Sequence, residues 1–307
     1  LYNYLKIALR LITRNKLISA INISGLAFAL TGSLLIAIFV HDELSYDRHH
    51  TKADRIYRVT RNFLSPDGSV SLHLGPIAPP FGPLLKNDFS DIIATARTRG
   101  FYRTLSIEKG TSREVLDIQN PYYAEPAIFQ LFDITLLSGD AKSVLEKPYT
   151  MIISDKTAEK YFGTTDVIGK EIRAQDITLE ITGVYESFPP QSHWHPDMLV
   201  AFSTLNDDNV YGRNRLESNW GNNNFSTYIL VNDDFDVKKT EAQFPAFLDR
   251  HMGEPGNPVQ PSMWTNLFLQ PLTSIHLHSN LDYEIEANGS ISHVYTISAI
   301  GLFLILI

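Results

Sequence analysis

Hydrophobic and polar positions divide the chain into stretches of different character. From Leu17 to Val40 (LISAINISGLAFALTGSLLIAIFV) no charged residue occurs. A run of about 24 residues is long enough for a helix to cross a bilayer core, which takes roughly 20. Ser19, Asn22, Ser24, Gly25, Thr31, Gly32 and Ser33 interrupt it, and small residues of this kind let membrane helices approach one another. Before it, Tyr2–Lys16 places apolar residues three and four apart with Lys6, Arg10 and Arg14 between them, the pattern of an amphipathic helix lying on a membrane face. The chain closes on a second uncharged stretch, His293–Ile307. At about 15 residues it is too short to span roughly 30 Å, so the expectation is a sequence cut inside a second membrane helix.

Residues 41–292 carry mixed patterns of short strands and helices. Arg55–Leu64 reads as a strand ending in the turn Ser65-Pro66-Asp67-Gly68. Pro76–Phe89 has helical spacing behind its prolines, and Ile92–Arg99, Thr104–Glu108 and Glu114–Gln119 read as strands. Ala127–Phe132 and Lys142–Glu146 read as single helical turns. Thr150–Ser154 is a strand leading into the helix Asp155–Phe162, which Gly163 ends. Gly169–Ala174 and Thr178–Ser187 form a hairpin around Gln175-Asp176. Met198–Thr204 and Ser226–Val231 are strands, Asn206–Asn224 is a long polar loop, and Asp236–Met252 is one amphipathic helix. The fold class is α+β, on a membrane-bound chain.

Charge adds an orientation. Lys6, Arg10, Arg14 and Lys16 precede the first apolar stretch, and Asp42, Glu43 and Asp47 follow it. Positive flanks stay inside, so the N-terminus is expected in the cytoplasm and residues 41–292 outside, at a bacterial inner (plasma) membrane. The whole chain has net charge −8, so the part beyond Lys16 is strongly acidic, which argues against a nucleic-acid partner. There is no cysteine, which excludes disulfides and thiolate metal sites. An isolated segment of about Asp47–Asn288 is expected to be soluble and to fold without the apolar helices.

The segments NYLKIALRLITRNKLISAINISGLAFAL and VHDELSYDRHHTKADRIYRV resemble the FtsX-like permeases of ABC transporters, in particular the MacB-like branch, and most of all those of Bacteroidetes. FQLFDITLLSGDAKSVLEKPYTMIISDKTAEKYFG (129–163), DVIGKEI (166–172), ITGVYESFPPQSHWHPDML (181–199) and LTSIHLHS (272–279) extend the resemblance along the chain, loosely between 205 and 265. It implies a cytoplasmic helix over 1–16, a transmembrane helix over 17–40, a MacB-like periplasmic core over 41–292 and the start of a second transmembrane helix over 293–307. It further implies that the core has two lobes, an α/β lobe from about 50–120 and 225–285 and a β-rich insert over about 121–224.

Motifs for catalysis fail on inspection. Gly163–Glu171 (GTTDVIGKE) has five residues between its glycines where a phosphate-binding loop has about four. Glu171 stands where magnesium needs a hydroxyl, and the stretch follows a helix and precedes a strand. His193-Trp194-His195 and His276-Leu277-His278 are both H-x-H, which on strands would point each pair to one face and could build a four-nitrogen metal site. Their positions beside turns, with Pro196 after His195, weigh against it. His41, His49 and His50 with Asp42, Glu43 and Asp47 read as a solvated collar. Tyr122, Tyr123, Phe129, Phe132, Tyr161 and Phe162 read as core, and Trp194, Trp220 and Trp264 read as packing or a substrate-facing surface. No catalytic, cofactor-binding or metal residue is assigned.

The resemblance implies a non-catalytic permease subunit that works with a separate cytoplasmic ATPase. Such subunits dimerise, with themselves or with a second permease, and some engage a periplasmic adaptor. They convert ATP-driven closure into motion of the outer domain, acting on antibiotics, peptides or lipoproteins. Two other readings fit the topology: an extracytoplasmic sensor between two helices, and an FtsX-type regulator of a cell-wall hydrolase.

Overall fold

The computed structural model describes Tyr4, Lys6, Arg10, 12–109 and 112–306. The amphipathic helix expected over 2–16 falls for the most part outside those residues, as does Ile307. Two compact units make up the chain: Leu1–Tyr46 with Gly289–Ile307, and Asp47–Asn288.

In the first unit the helix Lys16–Leu44 has 29 residues. At 1.5 Å per residue it is about 43 Å long, more than a bilayer core. Leu17, Phe28 and Leu34 and most of its other large apolar side chains are exposed, which suits lipid and not water. Among the described residues it is the one helix long and apolar enough to cross a membrane. It pairs with the helix Ile291–Leu306. Ser33, its one buried residue, donates from Oγ to the Gly301 carbonyl at 3.1 Å. A Cβ at Gly301 would come within 2.8 Å of Ile36, and one at Gly32 within 3.4 Å of Leu304. The small-residue contact is thus made by Gly32, Ser33 and Gly301. Gly25 borders open space, and Ser24 donates back to Ile21 of its own helix.

The second unit is built on one mixed sheet of 13 strands. In chain order they are β1 (Ile56–Leu64), β2 (Val70–Leu74), β3 (Ile92–Gly100), β4 (Leu105–Lys109), β5 (Ser112–Leu116), β6 (Pro121–Ala124) and β7 (Leu136–Ser138). There follow β8 (Thr150–Ser154), β9 (Glu171–Ala174), β10 (Ile177–Tyr185), β11 (Met198–Ala201), β12 (Ser226–Val231) and β13 (Thr265–Pro271). The spatial order is β13-β1-β12-β3-β6-β11-β8-β10-β9-β4-β5, with β2 added on β1 and β7 on β10. Most pairs are antiparallel, while β6–β11 and β8–β10 are parallel. The sheet runs continuously through the segments expected as separate lobes, and the hairpin β4–β5 pairs with β9.

Apolar side chains leave the sheet in three clusters. One gathers Met151, Ile153, Leu179 and Ile181 with Ala158 and Tyr161 of the helix Asp155–Phe162. A second holds Ile152, Tyr185, Trp194, Leu199, Phe132 and Tyr228. A third packs Val59, Ile229 and Leu269 against Phe81 and Leu85 of the helix Phe81–Asp88 and Phe244, Phe247 and Leu248 of the helix Phe244–Met252. Ser154 caps the helix Asp155–Phe162 by accepting from the Thr157 N–H at 3.2 Å, and Gly163 ends it at φ 69°.

Several expected elements differ. The helix over 236–252 is two, Val237–Glu241 and Phe244–Met252. Pro245 has no N–H to bond Glu241, so the first helix cannot continue. Glu241 instead turns its carboxylate to the Leu269 N–H of β13 at 2.8 Å. The loop 206–224 contains the helix Arg213–Ser218, and 142–146 forms turns and no helix. The strand expected over 198–204 stops at Ala201, where a 3-10 turn begins. Strands β2, β6, β7 and β13 had no counterpart in the sequence reading.

Candidate functional site

The two ends of the second unit meet one three-residue motif. Pro189-Pro190 and Pro196 bracket His193-Trp194-His195 and hold it irregular between β10 and β11. Trp194 turns into the core, 1% exposed, edge-on to Tyr122 at 5.2 Å and Phe188 at 5.8 Å. The histidines on either side are left to bind other segments.

His193 holds the entry. Asp47 begins the unit at φ 59° and donates its N–H to the Gln191 carbonyl at 2.8 Å. Its Oδ1 accepts from the His193 N–H at 3.1 Å and faces His193 Nδ1 at 2.8 Å. His193 Nε2 lies 2.7 Å from the Tyr228 hydroxyl of β12. A proton on Nδ1 serves the carboxylate, and Nε2 meets the hydroxyl, which can donate or accept. Burial pushes the Asp47 carboxyl up, but the charge and hydrogen bonds of His193 outweigh it and hold the group below its ordinary value. Asp47, His193 and Tyr228 are all buried, so this Asp-His-Tyr array ties segments together and offers no face to a substrate.

Further contacts hold the same entry segment. Asp133 donates its N–H to His50 Nδ1 at 3.2 Å and receives the Thr51 N–H and hydroxyl. Lys52 reaches the Gln130 carbonyl at 2.6 Å. Burial, and the neighbouring His49 ring, push the His50 pKa down to about 4. The reading of His41, His49 and His50 with Asp42, Glu43 and Asp47 as a solvated collar is therefore corrected at two positions: His50 and Asp47 are buried, while His49 is exposed.

His195 holds the exit. Glu286 accepts the His195 N–H at 2.6 Å and faces Nδ1 at 2.8 Å, while Nε2 meets the Pro189 carbonyl at 3.0 Å. Both ring nitrogens face acceptors, which suits the imidazolium. The Glu286 hydrogen bond accordingly raises the His195 pKa against the effect of burial. Two residues earlier Glu284 forms a two-pronged ion pair with Arg58 of β1. The backbone of Asp282 bonds His73 and Gly75.

The metal reading is not what the geometry builds. His193 and His195 point to different carboxylates. His276 and His278 lie on the helical turn Ile275–His278, one buried and the other exposed. Among the described residues no group of three or more His, Cys, Asp or Glu could hold a metal ion. In the stretch 163–171, Gly163 closes a helix and Lys170 lies over the Phe162 ring at 5.0 Å, so the glycine opens no phosphate cradle.

Residues 19–247 match the MacB-like periplasmic core domain. This chain belongs to that family. It is part of a MacB-like ABC transporter permease: a membrane-anchored protein with an extracytoplasmic domain. The MacB-like fold is shared with the crystal structure of a domain described as a permease protein's from Porphyromonas gingivalis. The two are 20% identical with a TM-score of 0.61, over 81% of this chain and 98% of that one. The periplasmic region of MacB from Actinobacillus actinomycetemcomitans is 12% identical, with a TM-score of 0.47 over 71% and 90% of the two chains. The extracellular domain of the ABC-type transporter YknZ from Gram-positive bacteria is 13% identical, at 0.43 over 70% and 99%. No curated protein matches the chain. Within the MacB-like domain the H-x-H motif at 193–195 stands out in the sequence, but its partners Asp47 and Glu286 do not.

Proposed function

We propose that this chain is the permease subunit of an ABC transporter that works by mechanical transmission. A separate cytoplasmic ATPase drives movement of the membrane helices, and the periplasmic domain moves with them to extract or expel a substrate. The family supports the permease role. The observation that carries the coupling is the clamp: one motif, His193–His195, binds Asp47 at the entry and Glu286 at the exit. A domain that must follow two helices loses motion if its ends are loosely attached. Cross-tying both ends to one rigid segment removes that slack.

On this reading the N-terminus is cytoplasmic, supported by Lys6, Arg10, Arg14 and Lys16 against Asp42, Glu43 and Asp47. ATP is hydrolysed by the partner subunit, in keeping with the helix-closing role of Gly163. The permease dimerises, with itself or a second permease, and an adaptor is a further candidate partner. Two lobes remain part of the reading, about 50–120 with 225–285 and about 121–224: β13, β1, β12 and β3 come from the first, while the hairpin β4–β5, also within 50–120, pairs with β9 of the second. Antibiotics, peptides and lipoproteins are the substrate classes that the resemblance brings.

The test is H193Q/H195Q in the full-length permease with its ATPase. We expect normal membrane insertion and assembly, with substrate-stimulated ATP turnover lowered about tenfold, the size of losing one or two charge-assisted hydrogen bonds. Unchanged stimulation and transport in an assembled variant would show that the clamp transmits nothing.

A further inference from the structure

Arg58, Arg61, Arg97 and Arg99 project from β1 and β3, the strands on either side of β12, and three of them are hydrogen-bonded. Arg58 holds Glu284, Gln270 and Ser279. Arg61 donates to Thr265, Asn223 and the Trp220 carbonyl, and lies over the Phe63 ring at 4.5 Å. Arg97 pairs with Glu125, donates to the Pro79 carbonyl at 2.7 Å and covers the Phe202 ring.

Arg99 differs. Its guanidinium rests on the rings of Tyr211, at 4.9 Å, and Phe225, at 5.6 Å. Its buried Nε has no hydrogen-bond partner among the described residues. Arg99 lines a cleft of about 520 Å³, and Arg103 lines it as well. The Tyr123 side chain, 1% exposed, also lines this cleft, and its hydroxyl likewise has no partner among the described residues. Both arginines act on that hydroxyl electrostatically. The one carboxylate among the lining residues, Glu284, is already committed to Arg58.

The walls are aromatic. Phe101 lies 4.6 Å from the Tyr123 ring. At the rim Tyr102 is 97% and Tyr283 74% exposed. Tyr283 also sits at φ 59°, a left-handed conformation strained for a bulky side chain, beside the Glu284 that Arg58 locks. Within this cleft two arginines meet no free carboxylate, and among the described residues a buried N–H and a buried hydroxyl have no partner, with exposed rings around them. An anion would complete the polar set, and a flat apolar body would cover the rings.

We propose that this cleft binds a small amphipathic carboxylate. The carboxylate meets Arg99 Nε, Arg103 and the Tyr123 hydroxyl, and its aromatic or apolar body lies against Phe101, Tyr102 and Tyr283. A free phosphate satisfies the cations but leaves the rings uncovered, so the body distinguishes the two. The site stands whether or not the transport reading holds, because it rests on the cleft alone.

The experiment is calorimetry on the full chain in phosphatidylcholine nanodiscs, with empty nanodiscs as the blank. The probes are N-acetylphenylalanine, its neutral amide and inorganic phosphate. We expect saturable binding of the acid, with the amide and phosphate each about tenfold weaker or more, because a charge-assisted contact or a stacked ring is lost. R103Q, at a half-exposed position, weakens the acid about tenfold, and Y123F weakens it severalfold, both with unchanged circular dichroism. The proposal is overturned if the acid shows no saturable binding, if the amide or phosphate binds as tightly, or if folded R103Q binds like the parent.

Discussion

Burial holds the His50 ring near a pKa of about 4, while the Glu286 carboxylate raises that of His195. These shifts act on stability with opposite signs. His50 has its pKa below the unfolded value of 6.5, so its contribution is complete above that pH and is lost as pH falls towards 4. His195 has its pKa above 6.5, so its contribution is complete below 6.5 and is lost as pH rises through the folded value. A span from 6.5 to about 4 corresponds to roughly 3 kcal/mol at most for His50. Thermal melting of the protein between pH 4 and 9 checks both. H50Q should flatten the acid side of the profile and leave the alkaline side alone, and H195Q should do the reverse. A profile that either variant leaves unchanged on its own side would remove that histidine from the account. The sequence made the clamp only half legible. It marked the two histidines, but Asp47 is 146 positions from His193 and Glu286 is 91 from His195, and nothing local announces either pairing. Arg99 was less legible still, since in Arg97-Thr98-Arg99 the saturated and unsaturated arginines look alike.

Elements with a local signal were readable, and those that depend on distant partners were not. The strand β8, its Ser154 cap, the helix Asp155–Phe162 and Gly163 form a run of start and stop signals. By contrast β6 is only four residues long, and it is a strand because β11 and β3 lie on either side of it. The helix Arg213–Ser218 hides in a polar stretch, and the helix itself has one buried residue, Leu216. The pair of apolar helices gives a direct test at this scale. Gly301 admits Ile36 so closely that a larger residue must push the helices apart. The native chain has no cysteine, so G32C/L304C gives a clean disulfide readout. We expect cross-linking in the membrane-inserted double variant and its loss when G301I is added. Efficient cross-linking despite G301I would mean that the contact does not depend on the glycine.

For the whole molecule, the compact unit Asp47–Asn288 coincides with the segment that charge and pattern marked as able to fold alone. Its three apolar clusters are filled by its own residues, and its sheet is continuous. We expect residues 47–288, expressed alone, to melt in one cooperative transition followed by circular dichroism. A broad, non-cooperative loss of signal would show that the apolar helices supply part of its order. Synthesis brings out a different consequence of the clamp. Asp47 leaves the ribosome long before His193, which lies 146 positions later. At 5–20 residues per second the wait is roughly seven to thirty seconds, and Glu286 comes later again. For that interval the residues after the first helix have emerged without the partner that fixes them. Strands β12 and β13, which flank β1, emerge after His193, and Glu286 after them, so the exit side of the clamp is among the last contacts of the domain to form.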